Sequence, residues 1–278
     1  DAYGNIVTDN AVATTITASV KSKSTGGEVT SITGTTATSV DGYATLNNLV
    51  MRAKVANYVL KFTATNAGRP IDGISIDSDS IAVTPGVAYQ LDLTEPAVGA
   101  SSGAVFATQP KVTVQDISGN TVDTSANIIA SVEAVNANGT TTGVTRANAT
   151  FVGNRTTVAA VAGVGDYGTT VNGVNQAIGL SGLVGHYRVT YTASISGLYS
   201  VISQIIQITP GAPAAITLEN ASSLQSSVVT GVALSTAPVL YVRDAAGNHI
   251  TTDNVTTARV ALIGDPGVSD LIVSTSAN

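Results

Sequence analysis

With 278 residues, a net charge of −6 and only 12 Lys plus Arg scattered without a cluster, the chain has no basic face with which to displace counterions, which excludes nucleic-acid binding. The absence of Cys removes disulfides and thiolate metal centres, and no apolar run approaches the roughly 20 residues of a membrane helix, so membrane insertion is not expected. Charged residues make up 11% of the sequence, against about 25% in an ordinary soluble domain, so neighbouring subunits or attached carbohydrate are expected to cover the exterior.

In chain order, the first feature is a short phrase, Asp1-Ala2-Tyr3-Gly4-Asn5-Ile6-Val7. It returns as Asp116-Ile117-Ser118-Gly119-Asn120-Thr121-Val122 and as Asp244-Ala245-Ala246-Gly247-Asn248-His249-Ile250. Gly-Asn tolerates positive φ, and Asp can bond the backbone two residues on, so each copy predicts a tight hairpin turn. Next come Leu46 and Leu49, then the strand Tyr58-Val59-Leu60-Lys61-Phe62-Thr63-Ala64, then Ile81-Ala82-Val83-Thr84-Pro85-Gly86. These are answered by Leu180 and Leu183, by Tyr187-Arg188-Val189-Thr190-Tyr191-Thr192-Ala193, and by Ile206-Gln207-Ile208-Thr209-Pro210-Gly211. Leu91 and Leu93 are answered by Ile216 and Leu218. Alternating Val112 and Val114 follow Pro110 and lead into the second turn, as Leu240 and Val242 follow Pro238 into the third. The repeat is therefore about 125 residues long, the offset from Ile81 to Ile206. Between Asn136 and Gly173 the second repeat carries extra residues rich in Gly, Asn and Thr, which predicts a long loop insertion. β-branched strands punctuated by Gly, Asn and Asp, with no 3.6-residue periodicity, predict an all-β chain.

Candidates for chemistry are few. Five Asn-X-Ser/Thr triplets mark Asn138, Asn148, Asn154, Asn220 and Asn254 as glycosylation candidates, three of them within the insertion. A chain this rich in Asn, Ser and Thr also generates such triplets by chance. The two histidines, His186 and His249, have no histidine counterparts in the repeat frame, and no strained nucleophile elbow occurs, so catalytic residues are not expected. Asp72, Asp77 and Asp79 lie close together but lack the closing bidentate Glu of a calcium loop, so an exposed acidic edge loop is the expectation. The turn aspartates Asp1, Asp116 and Asp244 are explained by capping, and neither metal nor cofactor is assigned.

The order of strand, Asp-x-x-Gly-Asn turn, strand, Leu-x-x-Leu, Tyr-x-x-x-aromatic-Thr-Ala and Pro-Gly resembles the tandem immunoglobulin-like repeats of bacterial and protist surface proteins, including invasin-type repeats. The resemblance covers nearly the whole chain and implies Greek-key β-sandwich units, with the Tyr strand near the end of each and Pro-Gly leading to the next. The boundaries that follow are 1–85, lacking its first strands; 86–210, complete but carrying the insertion; and 211–278, with N-terminal strands only. Such modules serve as stalks, adhesin shafts, surface-layer units and filament subunits, so architecture alone does not choose among them.

Incomplete first and last units expose strand edges and an open core. Two expectations account for this. One is a homopolymer in which the C-terminal part of one protomer completes the N-terminal part of the next, although both ends carry the turn and so overlap. The other is a window from a longer chain whose flanking units complete the domains covalently, in keeping with a start at Asp1 without Met. The favoured reading is a noncatalytic subunit of an extracellular fibril or appendage, partnered by copies of itself and by covalent glycans. The alternatives are a segment of an adhesin stalk or surface-layer protein and, from a different class, a carbohydrate-binding accessory module. The last is disfavoured by the lack of Trp.

Overall fold

The structure, a computed structural model, describes residues 3, 5–8, 14–66, 69–153, 156–198, 201–219, 221, 224–260 and 273–274. Asp1, Gly4, Asn154 and Asn220 lie outside the described residues. Among those described there is no α-helix, and the chain is all-β with several antiparallel sheets.

The first repeat contributes β1 (Thr14–Lys23), β2 (Val29–Thr33), β3 (Thr36–Thr38), β4 (Val50–Ala53), β5 (Ala56–Asn66), β6 (Arg69–Asp77) and β7 (Ile81–Val83). Its larger sheet has the order β3-β1-β5-β6, with β7 also paired to β5, and β2 pairs with β4 beside it.

The middle repeat contributes β8 (Gln90–Glu95), β9 (Ala104–Val105), β10 (Lys111–Gln115), β11 (Asn127–Val135), β12 (Thr150–Gly153), β13 (Thr157–Ala159), β14 (Val164–Asp166), β15 (Thr170–Val171), β16 (Val174–Asn175), β17 (Ile178–Ser181), β18 (Gly185–Ala193) and β19 (Val201–Ile208). These form the sheets β14-β10-β8, β13-β11-β18-β19 and β12-β17-β9, with β15-β16 as a small hairpin. The last repeat contributes the pair β20 (Pro213–Leu218) and β21 (Leu240–Asp244), followed by β22 (Arg259–Val260) paired with β23 (Val273–Ser274).

Period-2 alternation explains the best-formed core. On β18, Tyr187, Val189 and Tyr191 point one way and are fully buried, opposite Ala134, Val132 and Ala130 of β11. Leu91, Val112 and Val114 of the facing sheet join them in one continuous apolar cluster. The Tyr167 hydroxyl lies 3.1 Å from both the Ile128 and Thr156 carbonyls, whereas the buried Tyr191 hydroxyl has no partner.

Two expectations are corrected. The 136–173 segment is not one long loop, since it carries β12, β13, β14 and β15, of which β12, β13 and β14 pair with β17, β11 and β10. One of the glycines that reads as loop is there for close approach. A Cβ on Gly165 of β14 would meet Ile128 at 2.6 Å. Likewise Asp72 and Asp77 lie in β6 rather than in a loop, and Asp77 pairs with Lys21 of β1.

The inter-repeat joints as candidate functional site

β10 ends at Gln115, and the next five residues form the expected turn. The Asp116 N–H donates to the Asn120 carbonyl at 2.9 Å and the Gly119 N–H to the Asp116 carbonyl at 3.0 Å. Gly119 alone supplies the positive φ, at 76°, and Asn120 does not share it. The asparagine is kept for what its side chain reaches.

Asp116, only 4% exposed, spends its carboxylate in two directions. Oδ1 closes the turn by accepting from the N–H groups of Ser118 at 2.8 Å and Asn120 at 2.9 Å. Oδ2 accepts from the Gly86 N–H at 2.8 Å and from Asn120 Nδ2 at 2.9 Å, so it grips the Pro-Gly segment that leads out of the first repeat. All four acceptor positions of the carboxylate are therefore taken by N–H donors. Burial works against the charge of Asp116, but the hydrogen bonds from Gly86, Asn120 and Ser118 outweigh it and hold the carboxyl below its usual range.

Asn120 then crosses the joint. Nδ2 donates to the Ala53 carbonyl at 2.9 Å and Oδ1 accepts from the Val55 N–H at 2.8 Å, so the amide mimics a strand partner for the 53–55 loop. Lys54 Nζ donates to the Gly119 carbonyl at 2.9 Å. The same loop is fixed from behind by the buried Tyr58, whose hydroxyl donates to the Lys54 carbonyl at 2.7 Å and accepts from the Glu28 N–H at 3.0 Å.

The second joint repeats the first nearly bond for bond. Asp244, 3% exposed, accepts on Oδ1 from Ala246 and Asn248 N–H, each at 2.9 Å, and on Oδ2 from Gly211 N–H and Asn248 Nδ2, each at 2.8 Å. Burial again opposes its charge, and the bonds from Gly211, Asn248 and Ala246 again win, lowering its pKa. Asn248 Nδ2 donates to the Gly182 carbonyl at 2.9 Å, and its Oδ1 accepts from the Val184 N–H at 2.8 Å. Tyr187 ties the receiving loop through the Leu183 carbonyl at 2.8 Å.

The joints differ in two respects. The cation on the turn carbonyl comes across the joint as Lys54 in the first, but from the adjoining strand as Arg243, 2.9 Å from the Gly247 carbonyl, in the second. The second is packed more tightly, because the Ser102 N–H donates to Thr209 and the Thr209 N–H to Ala100, at 3.0 and 2.9 Å. A Cβ on Gly211 would lie 2.1 Å from the Ser102 carbonyl oxygen, whereas one on Gly86 would find only ordinary contact with Asp116.

Sequence reasoning found the turn residues Asp116, Gly119, Asn120, Asp244, Gly247 and Asn248, and the structure places all six at the joints. It missed the receiving loops and the anchoring role of Tyr58 and Tyr187. Their signal was present, since Ala53, Val55 and Tyr58 recur as Gly182, Val184 and Tyr187 at one shared offset. Asn5, the counterpart of Asn120, is exposed.

The remaining candidates stand apart from the joints. Asn138 is exposed, its Oδ1 accepting from the Thr140 N–H and hydroxyl at 3.1 and 2.9 Å. Asn148 is exposed and its Oδ1 accepts from the Ala134 N–H at 2.7 Å, while Asn254 is exposed. His249 stacks on Tyr241 with ring centroids 4.2 Å apart, and His186 lies in β18 opposite Val135. No cluster of three or more metal-ligating side chains occurs among the described residues.

No protein-family model and no curated protein matches the chain. Among solved structures it is similar to domains 1–6 of the surface layer protein SbsC, at 11% identity and a TM-score of 0.28 over 93% of this chain. The match spans 36% of that protein's chain, about a third of its length.

Proposed function

We propose that the chain is a noncatalytic structural subunit of an extracellular fibril or appendage, built of immunoglobulin-like units in fixed succession and polymerising head to tail at the cell surface. The observation that carries this reading is the joint made twice with the same chemistry. A buried Asp grips the linker, and its Asn partner grips the preceding repeat, by bonds whose lengths agree within 0.1 Å between the two joints. Repeats joined only as beads on a flexible linker have no use for such a device, because loosely linked domains move independently by default. A chain that must hold the orientation of one unit on the next does need it. The same joint supports a second reading, a segment of a surface-protein stalk, which requires fixed succession but no polymerisation.

The test is small-angle scattering together with negative-stain microscopy of the purified chain. Rods of fixed cross-section, with interdomain distances unchanged between low and high salt, are expected. A broad distribution of interdomain angles would refute the reading.

A further inference from the structure

Of the glycosylation signals in the sequence, those at Asn138, Asn148 and Asn254 lie among the described residues, and the fold treats them differently. The signal is an Asn amide with a hydroxyl two residues on. What matters is whether the fold leaves both groups exposed and free to meet.

At Asn138 they already meet. The turn leaving β11 is closed by the Gly139 N–H on the Asn136 carbonyl and the Asn136 N–H on the Thr140 carbonyl, each at 2.8 Å, with Gly139 at a φ of 83°. Asn138 is exposed at its tip. Its Oδ1 accepts from the Thr140 N–H at 3.1 Å and from the Thr140 hydroxyl at 2.9 Å, a short polar side chain closing a turn on its own backbone. Among the described residues no bond holds Asn138 Nδ2, the atom that accepts a sugar. Arg188 fixes the turn by donating to the Gly139 carbonyl, and is itself paired with Glu133 at 2.8 Å. These anchors belong to β11 and β18 of the middle repeat, far along the chain from either end of the sequence.

Asn148 is exposed too, but its groups are committed elsewhere. Its Oδ1 accepts from the Ala134 N–H at 2.7 Å. Its hydroxyl partner would be Thr150, the first residue of β12, whose Oγ1 donates instead to the Ser181 carbonyl at 3.4 Å across the ladder. At Asn254 the Thr256 N–H goes to Asp253 Oδ1 at 3.0 Å rather than to the asparagine.

We propose that Asn138 is a site of N-linked glycosylation and that Asn148 is a structural residue that stays bare. The donor is a lipid-linked oligosaccharide phosphate. Asn138 Nδ2 bonds to its anomeric carbon, that carbon's bond to the phosphate oxygen breaks, and the lipid phosphate leaves with the electron pair and takes up the amide proton.

The experiment is glycopeptide mass spectrometry of the chain purified from its natural source. Trypsin cuts after Arg146, so Asn138 and Asn148 fall on separate peptides, and fragmentation that retains the sugar separates Asn148 from Asn154. Sugar mass is expected on Asn138 and none on Asn148. Conversion of Asn138 to Asp, which the following Gly139 favours, adds no sugar and counts as bare. Among variants made in the same source, Thr140→Val should lose the sugar and Thr140→Ser keep it. Asn148→Ala should keep it and lower the urea midpoint, because the Ala134 N–H loses its partner. A bare Asn138, a sugar on Asn148, a sugar that persists in Thr140→Val, or an unchanged midpoint in Asn148→Ala would overturn the inference. It stands apart from the structural-subunit reading, since scattering tests the rod whether or not Asn138 carries a glycan.

Discussion

Asn120→Ala tests the joint most directly. The substitution removes the bond from Asn120 Nδ2 to the Ala53 carbonyl, the bond from the Val55 N–H to Oδ1, and the bond from Nδ2 to the Asp116 carboxylate. Neutral hydrogen bonds contribute about 1 kcal/mol each and one to a charged group about 2, so the loss is about 4 kcal/mol. Asn120 is 6% exposed, so water cannot readily replace the lost partners. The assay is amide hydrogen exchange with urea unfolding. Val55 should exchange about 100-fold faster or more in the variant, while Val184, held by Asn248 in the other joint, keeps its protection. Asn120→Asp should be no better at neutral pH, because it sets a second carboxylate against Asp116 and has no proton to donate. A loss below about 1 kcal/mol, or an unchanged exchange rate at Val55, would refute the clasp.

Other consequences can be checked in the same preparations. The two turn carboxyls have folded pKa values below their unfolded ones, so the joints keep their stability above about pH 4 and lose it as pH falls through the depressed folded values. Urea midpoints measured from pH 6 to 2 should show this, and Asp116→Asn with Asp244→Asn should flatten the curve. Gly211→Ala should lower the melting temperature sharply through its clash with the Ser102 carbonyl, whereas Gly86→Ala should be tolerated. Equal effects in the two joints would contradict the packing described. Tyr187→Phe should cost about 1–3 kcal/mol by orphaning the Leu183 carbonyl. Tyr191→Phe, which deletes a buried hydroxyl with no partner, should be neutral or stabilising in denaturant titrations.

The all-β architecture itself was legible, because alternation, β-branching and turn residues act over a few neighbours and leave their mark locally. The segment from Asn136 to Gly173 misled for the same reason. Its glycines read as loop by local preference, but Gly165 is small so that β14 can press against Ile128, a contact between residues distant in sequence.

The repeat period and the turns at Asp116 and Asp244 were determined by the sequence alone, since a turn is closed by bonds reaching two to four residues. Only the tertiary structure decided that the same side chains also reach back 30 residues to Gly86 and 67 to Ala53. A carboxylate has two oxygens and an amide two ends. Local chemistry takes part of that bonding capacity, and the fold chooses the partners for the rest.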